Sequence, residues 1–470
     1  MSRLTNRAAM LAAAFVLSAC ASVPGAQLAK PNTAAAFATS QTFAAPAAAW
    51  PGDRWWTAYG DEQLNHLIDE ALVGSPDIAV ARARLDKAEA SVGVARAALL
   101  PSLQGQGQVA ESKQSYNAGI PPAFVPKGYN GIGQLTLNFS WELDFWGKNR
   151  KAVVAATSDA RASEADLAEA RLVLSTAIAS AYADLDRLWA EHDVAERNVQ
   201  SRLETLDLVQ RRVANGVDTQ GELAQARAGP ATARADLAAI DEQIVLAKDQ
   251  IAALLGAGPD RGAAIARPAS ARLKAFGLPP SLAADLVGRR PDLTAARWRA
   301  EADLSRVGVA KAQFYPNINL AAFIGYQSLG LSQLFASGSG IGQVGPAVTL
   351  PIFEGGRLRA NLRGARADYQ AAVASYDQTL TEALKEVADA AASERALGPR
   401  LGQSAEALAQ DEQAYRIARL RYEGGLANYQ SVLLAEDAVL QDRRTVVDLQ
   451  ARAFSLDVQL VRALGGGYQT

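Results

Sequence analysis

Few side chains in this sequence are of a type and spacing that could do chemistry. The chain has 470 residues, with one cysteine, two histidines and two methionines, both methionines lying before residue 20. Cys20 ends the tetrapeptide Leu17-Ser18-Ala19-Cys20. It follows Arg3 and Arg7 and a short apolar run from Ala8 to Leu17. A charged start, a short apolar core and small residues make a secretory signal peptide over residues 1–19, not a membrane anchor. The tetrapeptide has the pattern of a bacterial lipobox, in which the cysteine is acylated and becomes the first residue of the mature chain. As the sole cysteine, Cys20 has no internal disulfide partner. Ala21 follows where an aspartate would favour retention at the inner membrane, so delivery to the outer membrane is expected. One acyl anchor holds weakly, and stable attachment calls for a second device. His66 and His192 are far apart, and the sequence lacks a Gly-x-x-x-x-Gly-Lys loop, a His-Glu-x-x-His pair and paired cysteines. No metal, cofactor or enzymatic activity is therefore expected. Gly338-Ser339-Gly340-Ile341-Gly342 is glycine-rich but falls between two strands, where it reads as an external loop rather than a phosphate cradle. A net charge of −2 gives no support for nucleic-acid binding.

The polar groups with an ordered spacing are of another kind. In Gln134 to Phe145, apolar residues fall at 135, 137, 139, 141, 143 and 145, and Thr136, Asn138, Ser140, Glu142 and Asp144 alternate with them. This period of two over about eleven residues suits a strand crossing an outer membrane, lipid on one side and water on the other. The five polar side chains would then face a water-filled lumen. Trp141, Phe145 and Trp146 sit near one end, as in an aromatic girdle. A weaker, glycine-rich partner runs from about Leu103 to Glu111. A second hairpin pairs Ile318–Tyr326 with Val344–Phe353, in which Val344, Val348, Leu350 and Ile352 share a face. The hairpins span about 101–146 and 316–353.

These strands belong to a unit used twice. Pro76-Asp77-Ile78 is echoed by Pro291-Asp292-Leu293, Pro101 by Pro316, and Arg212-Val213-Ala214-Asn215-Gly216 by Arg421-Tyr422-Glu423-Gly424-Gly425. Each copy reads helix, hairpin, then a long helix pair. The leading helix of the first copy runs from Asp61 to Leu100, with Leu64, Leu67, Ile68 and Leu72 on one stripe, and stops at Pro101. Lys148 to about Ala214 holds no proline or glycine and would extend roughly 100 Å if unbroken. It turns at Asn215-Gly216 and returns over Glu222–Leu255, with a kink expected at Gly229-Pro230. The second pair covers Leu358–Arg421 and Tyr429–Leu464. Helices of this length indicate coiled coils or helical tubes. The domain reading is a lipidated extended segment over 20–60, a first repeat over 61–258, a linker over 259–285 and a second repeat over 286–467. Four membrane strands cannot close a barrel, since the smallest use about eight, so copies of the chain must share one.

Several strings carry a family resemblance. They are Leu278-Pro279-Pro280-Ser281-Leu282 with Gly288-Arg289-Arg290-Pro291-Asp292-Leu293, Ala310-Lys311-Ala312-Gln313-Phe314-Tyr315-Pro316, Leu350-Pro351-Ile352-Phe353-Glu354-Gly355-Gly356-Arg357-Leu358, Arg421-Tyr422-Glu423-Gly424-Gly425 and Leu464-Gly465-Gly466-Gly467-Tyr468. Over Trp55 to Tyr468 the chain resembles the outer-membrane factor family of TolC and OprM, in its NodT-like lipoprotein branch. The resemblance implies an α+β membrane protein, a homotrimer whose twelve-stranded β-barrel continues as an α-helical periplasmic barrel. It implies no catalysis, but the exit duct of a tripartite efflux pump, joined to a periplasmic adaptor and an inner-membrane transporter of the RND type. A type I protein-secretion duct and a pore-less coiled-coil lipoprotein are the alternatives. The two helix-to-helix turns would form a periplasmic aperture, with Asp218, Glu222, Tyr422, Glu423, Gln430, Ser431 and Leu434 around it. Here the sequence departs from the family. Gly221-Glu222-Leu223 replaces a hydrophobic-Asp-Val string, and Ser431 and Leu434 stand where many relatives carry acidic rings. A leucine ring would close by packing and dewetting rather than by charge.

Overall fold

A computed structural model describes residues 28–269, 273, 276–280 and 282–469. Cys20 and the signal peptide lie outside the described residues. In chain order the main elements are helices α1 (Glu62–Gly74) and α2 (Pro76–Ala97), strands β1 (Ser102–Ser112) and β2 (Asn130–Glu142), and helices α3 (Lys148–Ala214), α4 (Gln220–Leu254) and α5 (Pro259–Ala263). The order then recurs: α6 (Leu282–Arg289), α7 (Pro291–Ala312), β3 (Asn317–Leu329), β4 (Gly340–Thr349), α8 (Arg357–Glu423) and α9 (Tyr429–Ala463). Matching elements have equal lengths, 22 residues for α2 and α7, 67 for α3 and α8, and 35 for α4 and α9. Tandem duplication followed by strict retention of helix length accounts for this.

Several boundaries differ from those read in the sequence. The leading helix is two helices, because Ser75 takes an extended conformation (ψ 130°) before Pro76, which starts the next helix without needing its missing N–H. Strand β2 ends at Glu142, so Asp144 is not a strand residue; its carboxylate accepts from the backbone N–H of Arg150 at 2.8 Å, at the start of α3. Strand β4 begins at Gly340 and ends at Thr349, so part of the expected loop is strand, and Leu350 and Ile352 lie beyond it. The segment read as a linker carries α5 and the beginning of α6. Helix α4 continues through Pro230.

The described residues form two compact units, and α3 and α8 contribute to both. The first unit draws on residues 85–163 and 296–376 and holds a four-stranded antiparallel meander in the order β1-β2-β3-β4. Register places Leu137 opposite Gly105 and Ile324, and Trp141 opposite Leu320. Ala322 faces Val344 and Ile318 faces Val348. One face is therefore apolar. On the other, Gln104, Gln106 and Gln108 of β1 lie opposite Asn138, Thr136 and Gln134 of β2. Gly325 has no room for a side chain, since a Cβ there would lie 2.1 Å from the carbonyl oxygen of Leu135. Beside the sheet, Leu362, Tyr369 and Val373 pack on Ala300, Val307 and Ala310.

The second unit draws on residues 32–84, 164–295 and 377–470. Its core gathers Trp55, Trp56 and Tyr59 with the Leu64, Leu67 and Ile68 stripe, Ile178, Tyr182, Leu185, Ile251, Phe454 and Val458. The C-terminal Gly465-Gly466-Gly467 string has a steric cause. All three have positive φ, and a Cβ would lie 2.0 Å from the Arg289 carbonyl, 2.2 Å from Leu172 and 2.2 Å from the Gly52 backbone, respectively. The Arg290 side chain, 9% exposed, bonds Asp292 in a bidentate pair (3.0 and 2.7 Å), Glu386 at 2.6 Å and the Ala463 carbonyl at 3.1 Å. Beside this knot, burial and then the Asp292 charge raise Glu169 from its ordinary 4.5 to about 7. A carboxyl raised by folding opposes its own ionisation, so its share of stability is full below about pH 4.5 and is lost as pH rises to about 7. Glu169→Gln should therefore gain thermal stability relative to the parent as pH rises through that window and hold a constant advantage above it, as read by melting temperature against pH.

Candidate periplasmic aperture and conducting face

The two helix-to-helix turns are built alike. Gly216 and Gly425 both adopt φ 72°. Val217 N–H bonds the Arg212 carbonyl at 2.9 Å, and Leu426 N–H bonds the Arg421 carbonyl at 2.7 Å. These are glycine-terminated helix ends that satisfy orphan carbonyls. Each turn then starts a new helix with a capping side chain. Thr219 and Glu222 form a capping box, with Thr219 N–H to Glu222 Oε2 at 2.7 Å, and Asn428 Oδ1 accepts from Ser431 N–H at 3.1 Å.

Beyond the shared backbone the turns differ. The position matching Asp218 in the second turn is Ala427, and the position matching Val213 is Tyr422. These two departures meet. Arg212 forks onto Asp218 (Nε–Oδ2 3.0 Å, Nη2–Oδ1 3.2 Å) and donates to the carbonyls of Tyr422 (2.7 Å) and Glu423 (3.3 Å). The Tyr422 hydroxyl donates to Asp218, and the Arg212 guanidinium lies 4.3 Å from the Tyr422 ring centre. Burial, then this hydrogen bond, holds the Tyr422 hydroxyl far above its ordinary range, so it remains a neutral donor. Beneath it, Val209, Leu223, Tyr429 and Val432 form an apolar cluster around Tyr422.

A second polar tie lies further along the helices. Ser201 and Arg202 on α3 bond Glu436 on α9 at 2.7 and 3.1 Å, and Arg202 also reaches Asp437. Burial raises Glu436, while the Ser201 hydrogen bond and Arg202 hold it down. Arg419 links Glu204 and Glu423 at 3.1 Å each.

Of the residues expected at an aperture, Tyr422 is fully buried and the Asp218 side chain is 5% exposed. Both join the first helix hairpin to the second, because an aromatic ring with one hydroxyl packs between hairpins at less cost than it stands in water. Glu423, Gln430, Ser431 and Leu434 are on the surface, Leu434 at 60% exposure, and Glu222 is partly covered by its own capping box. Sequence reasoning missed Arg212 as a site residue. The signal was there: an arginine four residues before the turn glycine in both copies, with an acid after it in only one. The Arg202–Glu436 pair left no such mark, since its partners are 234 residues apart.

On β2, Thr136 is buried and Asn138, Ser140 and Glu142 are half-covered, whereas Leu135, Leu137 and Trp141 are 45%, 44% and 36% exposed. Asn138 Nδ2 donates to Thr136 Oγ1 at 3.1 Å, and Asn319 Nδ2 donates to Ser140 Oγ at 2.9 Å. The β1 glutamines extend this polar face. Their alternation with Leu103, Gly105, Gly107 and Val109 is as regular as that of β2, but glycine obscured it. The indole N–H groups of Trp141 and Trp146 bond the carbonyls of Leu99 (3.0 Å) and Pro316 (2.7 Å). No helix among the described residues is long and apolar enough to cross a membrane.

An amphipathic sheet joined to latched helical hairpins defines an outer-membrane channel protein. Residues 67–257 and 282–466 match the model of outer membrane efflux proteins, and the chain belongs to that family. The fusaric acid resistance protein FusA of Burkholderia cepacia is 37% identical over 371 residues, spanning 76% of this chain and 69% of the relative. The multidrug resistance outer membrane protein MdtP of Escherichia coli K12 is 31% identical over 434 residues, spanning 89% and 87%. The crystal structure of the outer membrane protein VceC from Vibrio cholerae shares the fold with a TM-score of 0.84 at 48% identity, covering 89% of this chain and all of that one.

If the latch holds the hairpins together, Arg212→Ala should leave Asp218 buried without its counter-charge and cost about 3 kcal/mol of local stability. Tyr422→Phe should cost about 1 kcal/mol. Hydrogen exchange at the backbone amides of residues 206–226 should rise strongly in the first variant and modestly in the second, with exchange around Tyr182 unchanged.

Proposed function

We propose that this chain is the outer-membrane exit duct of a tripartite efflux pump, passively conducting small toxic compounds delivered by its partners. The observation that carries this is the sheet of the first unit: four strands, one apolar and one polar face, and two outer edges left unpaired among the described residues. Three copies would supply twelve strands to a closed barrel lined by Thr136, Asn138, Ser140 and Glu142, and the helix pairs would continue it as a periplasmic tunnel. Two tandem repeats, over 61–258 and 286–467, supply one hairpin and one helix pair each. The conduit does no catalysis and needs no cofactor. Energy would come from an inner-membrane transporter of the RND type, coupled through a periplasmic adaptor at the aperture. Acylation at Cys20 would give the barrel a second anchor in the outer membrane. The names of FusA and MdtP speak of resistance to small compounds, which favours efflux over type I protein secretion. A pore-less coiled-coil lipoprotein would have no use for the amphipathic sheet.

The latch residues Arg212, Asp218 and Tyr422 would couple the two hairpins as the aperture opens and closes. Leu434 would close the opening by packing. The acids nearby are engaged, Glu222 in its capping box and Glu423 with Arg419. Cation preference should therefore be weak.

The purified protein should appear in native mass spectrometry as a trimer carrying the mass of an acylated Cys20, and should form water-filled pores in planar bilayers. A monomer or dimer without conductance would overturn the duct. Reversal potentials in a salt gradient should show only mild cation preference; strong cation selectivity that Leu434→Ala abolishes would overturn closure by a leucine ring.

A further inference from the structure

Within the first unit, residues 330–339, which join β3 to β4, do not stand clear of the sheet. They fold back over its apolar face, at the end away from α3. Their seat is on β2. A Cβ at Gly133 would lie 3.2 Å from Leu331 and 3.3 Å from Leu334, and one at Gly131 would lie 3.8 Å from Leu331. Strand alternation puts residues 131 and 133 on the same face as Leu135 and Leu137. Phe335 lies 5.5 Å from Tyr326, centre to centre, and Tyr326 opposes Leu135 on that face. The flap is pinned at both ends. Gly330 N–H bonds the Gly131 carbonyl, and the Ser328 hydroxyl bonds the Gly330 carbonyl at 2.9 Å. The Ser339 hydroxyl bonds the Gln333 carbonyl at 2.7 Å, and Gln327 N–H bonds the Ser339 carbonyl at 2.9 Å.

A loop bound for water would turn outward and show polar groups. This one holds Phe335 at 71% and Leu331 at 50% exposure, and residues 317–353 carry no charge. Large apolar side chains set on an apolar face share its medium. A second copy of the chain would not cover them. It would pair at the edges, β1 or β4, whereas the flap lies on the inner strands β2 and β3. The spacing along β2 fits a bilayer. Gly133 and Trp141 are eight residues apart on this strand. That is about 27 Å of strand and about 20 Å along the membrane normal at the usual tilt, close to the height of the apolar band of a barrel.

We propose that residues 330–339 form a lipid-contact flap, with Leu331 and Phe335 among the acyl chains of the outer leaflet near its external interface. The flap and Trp141 then bound one apolar band from its two sides. The proposal rests on the sheet's place in the outer membrane as part of the shared barrel.

The test is nitroxide labelling of the full-length protein in phosphatidylethanolamine–phosphatidylglycerol vesicles. Acylation leaves Cys20 no thiol, so one introduced cysteine carries the label, and the parent protein treated alike gives the background. Labels go at Phe335→Cys and Leu331→Cys in the flap, at Ile324→Cys in the middle of the apolar face, and at Asn117→Cys in the exposed β1–β2 loop. Collision with oxygen, which concentrates in hydrocarbon, is compared with collision with a water-soluble nickel chelate. The oxygen-to-chelate ratio at both flap positions should lie within about twofold of that at Ile324 and far above that at Asn117. A flap ratio like that of Asn117, with Ile324 still oxygen-rich, would overturn the flap and leave the barrel standing. Flap labels shielded from both reagents would mean that protein covers them, and would overturn it too. A chelate-rich Ile324 label would remove the sheet from the membrane, and the flap with it.

Discussion

Backbone hydrogen bonding at the edges of the sheet governs what this chain can be. In the meander β1-β2-β3-β4 the two inner strands are paired on both sides, while among the described residues β1 and β4 each pair on one side only. In water such edges are tolerable. In hydrocarbon each unpaired backbone group costs several kcal/mol, and strands of 11 and 10 residues carry several of them. The exposed apolar face, with Val344 and Val348 at 76% and 64%, belongs in hydrocarbon all the same. Both requirements are met only if the edges are paired by other copies of the chain. The duplication answers the same constraint from within, since a second hairpin doubles the strands each chain contributes.

The same doubling sets up the helical part and then departs from itself. Equal lengths of α3 and α8, and of α4 and α9, place the two turns at corresponding positions, each ended by a glycine at φ 72° and restarted by a polar cap. Divergence at two positions, Asp218 against Ala427 and Tyr422 against Val213, gives an acid in one hairpin and a neutral donor in the other. Arg212 bridges them through its planar fork, which a lysine could not reproduce. The latch is small and polar, whereas the unit's main core is large and apolar.

Much of this was legible in the sequence, for identifiable reasons. A period of two over β2 and the absence of proline and glycine over α3 are local signals, and local signals fix element type. Helix ends were read to within a few residues because glycine and capping residues mark them chemically. The break at Ser75 was missed because the apolar stripe continues across it, and periodicity outweighed a proline that tolerates the first turn of a helix. The β1 strand read weakly because Gly105 and Gly107 carry no side chain to show which face they occupy. The expected strand position of Asp144 failed because alternation alone does not say where pairing stops.

Sequence by itself determined the repeat, the element types, the amphipathic strands and the need for assembly, since each follows from periodicity or from counting strands. Tertiary structure decided which polar residues serve as contacts inside the protein and which meet solvent. Asp218 and Tyr422, expected at the aperture from the sequence, are hydrogen-bonded to each other across the two hairpins. Arg202 and Glu436 come together only when distant stretches pack. The physical reason is that hydrogen bonding and charge pairing fall off over a few ångströms, whereas sequence distance along 67-residue helices carries no information about which faces meet.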